Sequence, residues 1–263
     1  MKKAISRGQV LLNGKRAFSG NYLNGGETLE LLQAKVKERP SIEMELEILH
    51  EDDHLAIVHK PAGIVVSGNK KHTLENALPN TLKPSPNIDA LERPIPVHRL
   101  DHPTSGALLI AKSHAALTAL NKLFEKREIT KTYVAITQGK MASKEGLLDT
   151  AIKGKNAFTK YAVESTVSSP KFESLNWVVL QPETGRRHQL RIHLAEIGHP
   201  ILGDLQYGID GKILKGKGLY LHAHKLSFDH PITGAKLEVE ATIPSKFNKL
   251  MANPVHSDQN SGH

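Results

Sequence analysis

The chain has 263 residues, 39% hydrophobic and 24% charged, with a formal net charge of +8, the composition of a folded basic protein whose cations a phosphate backbone would reward through counterion release. It has no cysteine, which excludes a disulfide framework, thiolate catalysis and cysteine-ligated zinc or iron–sulfur centres. No apolar run approaches the ~18 residues a membrane span needs, and Met1-Lys2-Lys3 leads into no apolar signal core, so a soluble cytoplasmic protein without a membrane partner is expected.

Ala4 to Gly8 reads as the end of a helix, and Val10-Leu11-Leu12-Asn13-Gly14-Lys15 as a strand entering a tight turn. A second turn at Asn24-Gly25-Gly26 precedes a strand from Thr28 to Leu32. This piece, made basic by Lys2, Lys3, Arg7, Lys15 and Arg16, is too short to bury a core alone. Pro40 and Ser41 mark a linker, giving expected domains of 1–40 and 41–252 and a disordered polar tail over 253–263. In the larger domain, Leu55-Ala56-Ile57-Val58 is a buried strand that stops at Lys60-Pro61-Ala62-Gly63. Five prolines between Gly68 and Pro96 predict mostly loop, with one helical turn at Leu74 to Leu78. Gly106 to Lys112 is the next strand, and Ser113 caps a helix with Leu117, Leu120 and Phe124 on its apolar face. Strands follow at Thr132 to Thr137, Tyr161 to Val167 and Asn176 to Leu180. A second helix spans Arg187 to Ile197, with Leu190, Leu194 and Ile197 on one face. Leu226 to Phe228 and Lys236 to Thr242 are the last strands. Short strands without regular βαβ alternation predict an α+β domain on a central mixed or antiparallel sheet, with helices and loops flanking a cleft.

Asp101 follows an extended stretch and precedes a Thr-Ser-Gly turn, a junction from which a carboxylate can face a cleft while the strand fixes its position. The hydroxyls of Thr104 and Ser105 are candidates to hold it ionised. Local chemistry alone nevertheless favours an ordinary turn cap that satisfies its own backbone.

Longer patterns change that balance. His98-Arg99-Leu100-Asp101, then Thr104-Ser105-Gly106 and Ala111-Lys112, resembles the signature of the RluA-type RNA pseudouridine synthases. Lys60-Pro61-Ala62-Gly63 looks like that family's Lys-Pro-x-Gly element, and Lys131-Thr132-Tyr133-Val134-Ala135 like its Lys-x-Tyr strand. Gly185-Arg186-Arg187-His188-Gln189-Leu190-Arg191 resembles its Gly-Arg-x-His-Gln-Ile-Arg helix, followed by Gly198-His199-Pro200-Ile201-Leu202-Gly203-Asp204. The four segments occur in the expected order across about residues 50 to 243.

The resemblance implies an isomerase converting uridine to pseudouridine in structured ribosomal or transfer RNA. Asp101 would be the essential carboxylate, attacking the sugar C1′ or abstracting its 2′ proton. Tyr133 would sit against the base, Arg191 would pair with Asp101, and Leu221 would form part of the apolar wall. Arg99, His188 and Gln189 would contact the substrate. The N1–C1′ bond breaks, the uracil turns and C5 bonds to C1′; nothing is oxidised, so neither a metal nor a small-molecule cofactor is needed. The uridine must leave its stack to be reached, and a tyrosine ring gives a flipped base a flat face.

Other signals are weaker. Lys3 to Lys15, with Gly25-Gly26-Glu27-Thr28-Leu29, resembles the later half of a small RNA-binding domain shared with a ribosomal small-subunit protein, its opening helix missing; a basic β extension fits the same residues. Of the 15 histidines, His188 and His193 stand at i, i+5, poor spacing for two ligands on one helix, while His222 and His224 alternate on a strand. Lysines 140, 144, 153, 155, 160, 212, 215 and 217 gather in loops, and Lys153 and Lys155 are candidate RNA-backbone contacts. An aromatic content of 5% does not suggest a single-strand stacking platform. The rival readings are a binding protein that has lost catalysis and a histidine-based metal-dependent hydrolase.

Overall fold

A computed structural model of the protein describes residues 2–6, 8–32 and 40–252. Arg7 and the tail 253–263 lie outside the described residues. The chain divides into two compact units, Met1–Pro40 and Ser41–His263.

The first unit holds a short helix α1 (Lys2–Ser6) and three strands, β1 (Val10–Leu12), β2 (Lys15–Arg16) and β3 (Leu29–Leu31), in the order β2-β1-β3. The β1–β2 turn uses Asn13 and Gly14, both at positive φ (47° and 75°), the conformation a two-residue hairpin turn requires.

The second unit is built on a ten-stranded sheet. Its main path joins β4 (Ile48–Glu51), β5 (Leu55–Lys60), β7 (Ser105–Ser113), β12 (Leu221–Asp229), β8 (Thr130–Gln138), β11 (Glu173–Pro182), β10 (Thr159–Ser169) and β9 (Glu145–Leu148) in that order. Off this path, β6 (Ala90–Pro96) pairs with β7 and β13 (Lys236–Glu240) with β12. Every pairing is antiparallel except β7 with β12, so the sheet is mixed and the fold is α+β, as expected. β7 is buried from Gly106 onward because it is covered on both faces, which is why its sequence is an apolar run without alternation.

The parallel join of β7 to β12 depends on Gly106. Its φ is 119°, and a Cβ there would run into the Ala223 backbone. The strands therefore meet closely just where the Asp101 segment enters the sheet.

Helix α3 (His114–Lys126) packs on β7; the Ser113 side chain accepts the Ala116 N–H, and Arg127 closes the helix in the left-handed region at φ 61°. Helix α4 covers Gln189–Glu196, shorter than expected, because His188 takes a left-handed φ of 58° and Ile197 is an exposed cap. Arg187 therefore precedes the helix instead of standing one turn below Arg191 on it.

The segment expected to be mostly loop contains more structure. Helix α2 (Leu74–Thr81) starts at a Thr73 cap and carries Pro79 within it. β6 accommodates Pro94 and Pro96 because it is an edge strand on β7, irregular in register between Ala90 and Ile95. Breakers in an edge element erased the local pattern. A final helix, α5 (Ser245–Ala252), was also not expected; it buries Phe247 and Leu250 against the β8–β11 core. Among the described residues no helix is long and apolar enough to cross a membrane.

Candidate active site

Asp101 sits in the turn that enters β7, where the Thr104 N–H donates to the Asp101 carbonyl at 3.0 Å. Behind this turn, Lys60 is completely buried at the end of β5. Its ammonium donates to the carbonyls of Thr104 (2.7 Å), Pro61 (2.9 Å) and His102 (3.3 Å). Burial pushes the Lys60 pKa down to about 8, and the Asp101 carboxylate works in the opposite direction. Upstream, His98 Nε2 accepts the Leu109 N–H at 3.0 Å, and burial, aided by the Lys131 charge, lowers its pKa to about 3, so the ring is neutral. The carboxylate thus stands on a segment pinned from both sides.

The Asp101 side chain remains 14% exposed. Arg191 Nη1 lies 3.5 Å from its Oδ2, and His188 Nε2 lies 3.8 Å from its Oδ1. Thr104 and Ser105 do not hold it. The Thr104 hydroxyl is buried without a partner, and the Ser105 hydroxyl bonds His222 Nδ1 at 2.9 Å. Neighbouring residues entering a strand point to opposite faces, so the two hydroxyls could not both turn to one carboxylate.

Arg191, on the buried face of α4, makes its short contacts elsewhere. Nε donates to Asp204 Oδ2 at 2.7 Å and Nη2 to Asp204 Oδ1 at 2.8 Å, a bidentate pair. The expected pairing with Asp101 is therefore the longer, single-nitrogen contact. Asp204 Oδ1 also accepts the N–H groups of Gln206 and Tyr207. Against the cost of burial, these bonds hold the Asp204 pKa below the usual carboxylate range.

Tyr207 completes the cluster. The Arg191 guanidinium lies 5.0 Å from its ring centroid, and its hydroxyl is 2.9 Å from His188 Nδ1. His188, an N-cap that uses its side chain for no capping bond, holds a left-handed conformation uncommon for a residue with a Cβ. Burial lowers its pKa, Asp101 opposes, and Arg191 and Arg187 add to the lowering, so it is neutral near pH 7. Neither Asp204 nor Tyr207 was singled out from sequence. The one available signal was Asp204's place at the end of the Gly-His-Pro-Ile-Leu-Gly-Asp run.

Asp101, His188 and Arg191 line one cleft of about 480 Å³, with Tyr133, Leu221, Arg99 and Gln189 also in its wall, while Asp204 and Tyr207 support it from behind. Tyr133 comes from β8 and Leu221 from the start of β12, paired strands of the sheet. Burial and the neighbouring Asp101 raise the Tyr133 pKa far above its ordinary value, keeping the phenol neutral. Arg99 is exposed and has no ion pair or side-chain hydrogen bond among the described residues. Gln189 does not offer its amide to a ligand. Its Oε1 accepts from Thr184 Oγ1 and the Arg186 N–H, and its Nε2 donates to the Phe158 carbonyl and Thr159 Oγ1, which exhausts the side chain. It braces the loop carrying Arg186 and Arg187.

Lys153 and Lys155 are exposed on a turn outside the cleft, with no ion pair among the described residues. The Arg186 guanidinium ties this turn to the rim by donating to the Asn156 carbonyl at 3.0 Å. Lys160 and Lys212 are engaged by Glu183 and Glu173. His193 is buried away from the cleft, against Thr159 and the Thr150 carbonyl. His222 and His224 both approach the Ala241 carbonyl, with a register shift in β12 at His224.

Residues 54–196 match the family described as RNA pseudouridylate synthase. The chain is 34% identical over 280 residues to the ribosomal large subunit pseudouridine synthase D of Xanthomonas campestris, covering 94% of this chain and 82% of that protein. It is 36% identical over 265 residues to the uncharacterized RNA pseudouridine synthase YhcT of Bacillus subtilis, covering 94% and 85%. Among solved structures, human RNA pseudouridylate synthase domain containing 4 matches with a TM-score of 0.63 and 27% identity, covering 77% of this chain and 90% of that one. The chain belongs to the RNA pseudouridylate synthase family and is an isomerase acting on RNA.

Proposed function

We propose that the protein converts uridine to pseudouridine in ribosomal RNA of the large subunit, with Asp101 as the catalytic carboxylate. The observation that carries this reading is the assembly, in one cleft, of Asp101, Tyr133, Arg191, His188 and Leu221 from separate stretches of chain around one partly accessible carboxylate. The choice of ribosomal over transfer RNA follows the large-subunit relatives, of which several share 34% identity with the chain.

The target uridine leaves its stack and enters the cleft with its base against the Tyr133 ring and the Leu221 side chain. Asp101, ionised and aimed by Arg191, either bonds to C1′ as N1 departs or takes the 2′ proton. The freed uracil turns and C5 bonds to C1′, as the Asp101–C1′ bond breaks in the first route or as Asp101 returns its proton to C2′ in the second; C5 then loses its proton and N1 gains one, so the sum is an isomerisation. The neutral Tyr133 and His188 leave Asp101 as the negative charge facing the sugar. Arg99 at the mouth, with Lys153 and Lys155 on the adjoining turn, attracts the RNA backbone. The first forty residues act as a partial small RNA-binding domain attached to the catalytic domain 41–252, and the protein works in the cytoplasm.

The test is mapping of pseudouridine across cellular RNA with and without the protein. Loss of one or a few large-subunit sites supports the proposal. An unchanged ribosomal map with sites lost from transfer RNA would overturn the choice of substrate.

A further inference from the structure

We propose that Arg127 and Lys131 form a phosphate-binding subsite beside the Asp101 cleft, taking the backbone phosphate of a nucleotide that flanks the uridine. This rests on the reading of the cleft as a uridine pocket.

Both residues line the Asp101 cleft and also a second recess of about 270 Å³ that adjoins it, bounded by Pro182, Glu183 and Lys160. The backbone fixes each. Arg127 is the left-handed cap of α3, its N–H bound to the carbonyls of Leu123 and Phe124. Lys131 is two residues before Tyr133 on β8, so the two side chains leave the same face of the strand. Their origins are about 6.6 Å apart at strand spacing.

The charges of this wall are unbalanced. The buried cations have partners: Lys60 has three carbonyls, Lys112 has Glu51 at 2.7 Å, and Arg191 has Asp204, whereas Lys131 is half-buried and Arg127 exposed. Arg127 and Lys131 have neither an ion pair nor a side-chain hydrogen bond among the described residues. Three carboxylates stand in the same walls, one of them Asp101, which faces Arg191 at 3.5 Å. Glu125 makes no ion pair among the described residues, and Glu183 is held by Lys160 at 2.8 Å, with Arg127 acting on it only at longer range. Burial, and the repulsion of Arg127, lower the Lys131 pKa. Two cations facing one recess with no acid bound to either repel each other, and an anion seated between them relieves that repulsion. An RNA threaded through the cleft carries such an anion on each side of its reacting nucleotide. The contact is sequence-independent and fixes register, placing the uridine opposite Asp101.

The experiment measures binding of a fluorescent uridine pentanucleotide to full-length protein carrying Asp101→Asn, which separates binding from turnover. Lys131→Gln and Arg127→Gln are each added to that background. Each is expected to weaken binding about tenfold at low salt and to flatten the slope of log K against log salt by about 0.7, the loss of one phosphate contact on a single strand. Lys131→Arg should restore both. A pentamer with one methylphosphonate linkage next to its central uridine should bind more weakly to the parent and no more weakly to the Lys131→Gln protein.

Because each substitution relieves repulsion, the melting temperature should hold or rise. An unchanged salt slope, or a Lys131→Gln defect that Lys131→Arg fails to repair, would overturn the subsite. So would a lowered melting temperature with unaltered binding, which would make the pair structural. Tritium release from C5-labelled large-subunit RNA by the unmodified enzyme reads the parent proposal separately. Altered slopes without tritium release would remove the uridine reading and leave the anion site standing.

Discussion

Arg191 is bound to Asp204 through two nitrogens, at 2.7 and 2.8 Å, and turns its third toward Asp101 at 3.5 Å. Asp204 therefore decides where the guanidinium stands, and Arg191 meets Asp101 from a fixed position. Asp204→Asn removes the charge that anchors it and leaves a buried arginine short of a partner. Stability should fall by about 3 kcal/mol, and kcat by about 100-fold through misplacement alone, with a much smaller change in KM. Urea unfolding and steady-state tritium release check the two effects; lost stability with an unaltered kcat would confine Asp204 to a structural role.

Replacing Asp101 with asparagine preserves shape and removes charge. Product formation should disappear, while RNA affinity stays within about threefold, because the phosphate contacts that dominate affinity lie on other residues. Single-turnover assays with enzyme in excess would detect residual chemistry. Turnover above about a hundredth of the parent rate, the residue expected of binding and positioning without the reacting group, would refute the role given to the carboxylate.

His188 should set part of the acid limb of activity. Its folded pKa lies below its ordinary value, mainly through burial, so it is neutral at pH 7 and becomes cationic only at more acid pH. The imidazolium would then stand 3.8 Å from Asp101 and compete with Arg191 for its charge. In His188→Gln the acid limb of kcat should move to lower pH, because the imidazole that takes up a proton beside Asp101 is gone. A limb at the same pH in both proteins would exclude His188 from the profile.

Lys60 gives a stability signature with an unexpected sign. Its folded pKa of about 8 lies below its ordinary value near 10.5, so between these pH values the unfolded chain binds the extra proton. Stability then rises with pH across that window, and the penalty for burying the charge is fully present below it. Lys60→Met strands three carbonyls and should cost about 3 kcal/mol. The advantage of the parent over this variant should widen as pH climbs from about 8 toward 10.5, and denaturant titrations at successive pH values measure it. A gap that narrows would reverse the sign assigned to this lysine.

Much of the catalytic unit is legible in residue order alone. The buried run around Leu108, the Ser113 cap and the strands about Tyr133 and Trp177 follow from local apolar content and capping chemistry. β6 and the continuation of α2 past its expected Leu74–Leu78 turn escape such reading because Pro94, Pro96 and Pro79 are ordinarily breakers, and only pairing with β7 and packing against the core make them tolerable. The shortened α4 is equally hidden, since nothing local requires His188 to take a left-handed backbone.

For Asp101, the sequence determined that a carboxylate lies at a strand entrance and, through the order of four motifs, which reaction it resembles. Those are properties of residue type and spacing, which the chain carries along its length. The sequence did not determine what faces the carboxylate. Arg191 is 90 residues away and Asp204 a further 13, and Lys60 reaches the turn at Thr104 from 44 residues upstream. Their meeting depends on β7 and β12 lying side by side in parallel, a close approach that Gly106 permits, and on the three-dimensional course of α4. Contacts across such separations are fixed by how the sheet closes on its core, so only the tertiary structure decided them.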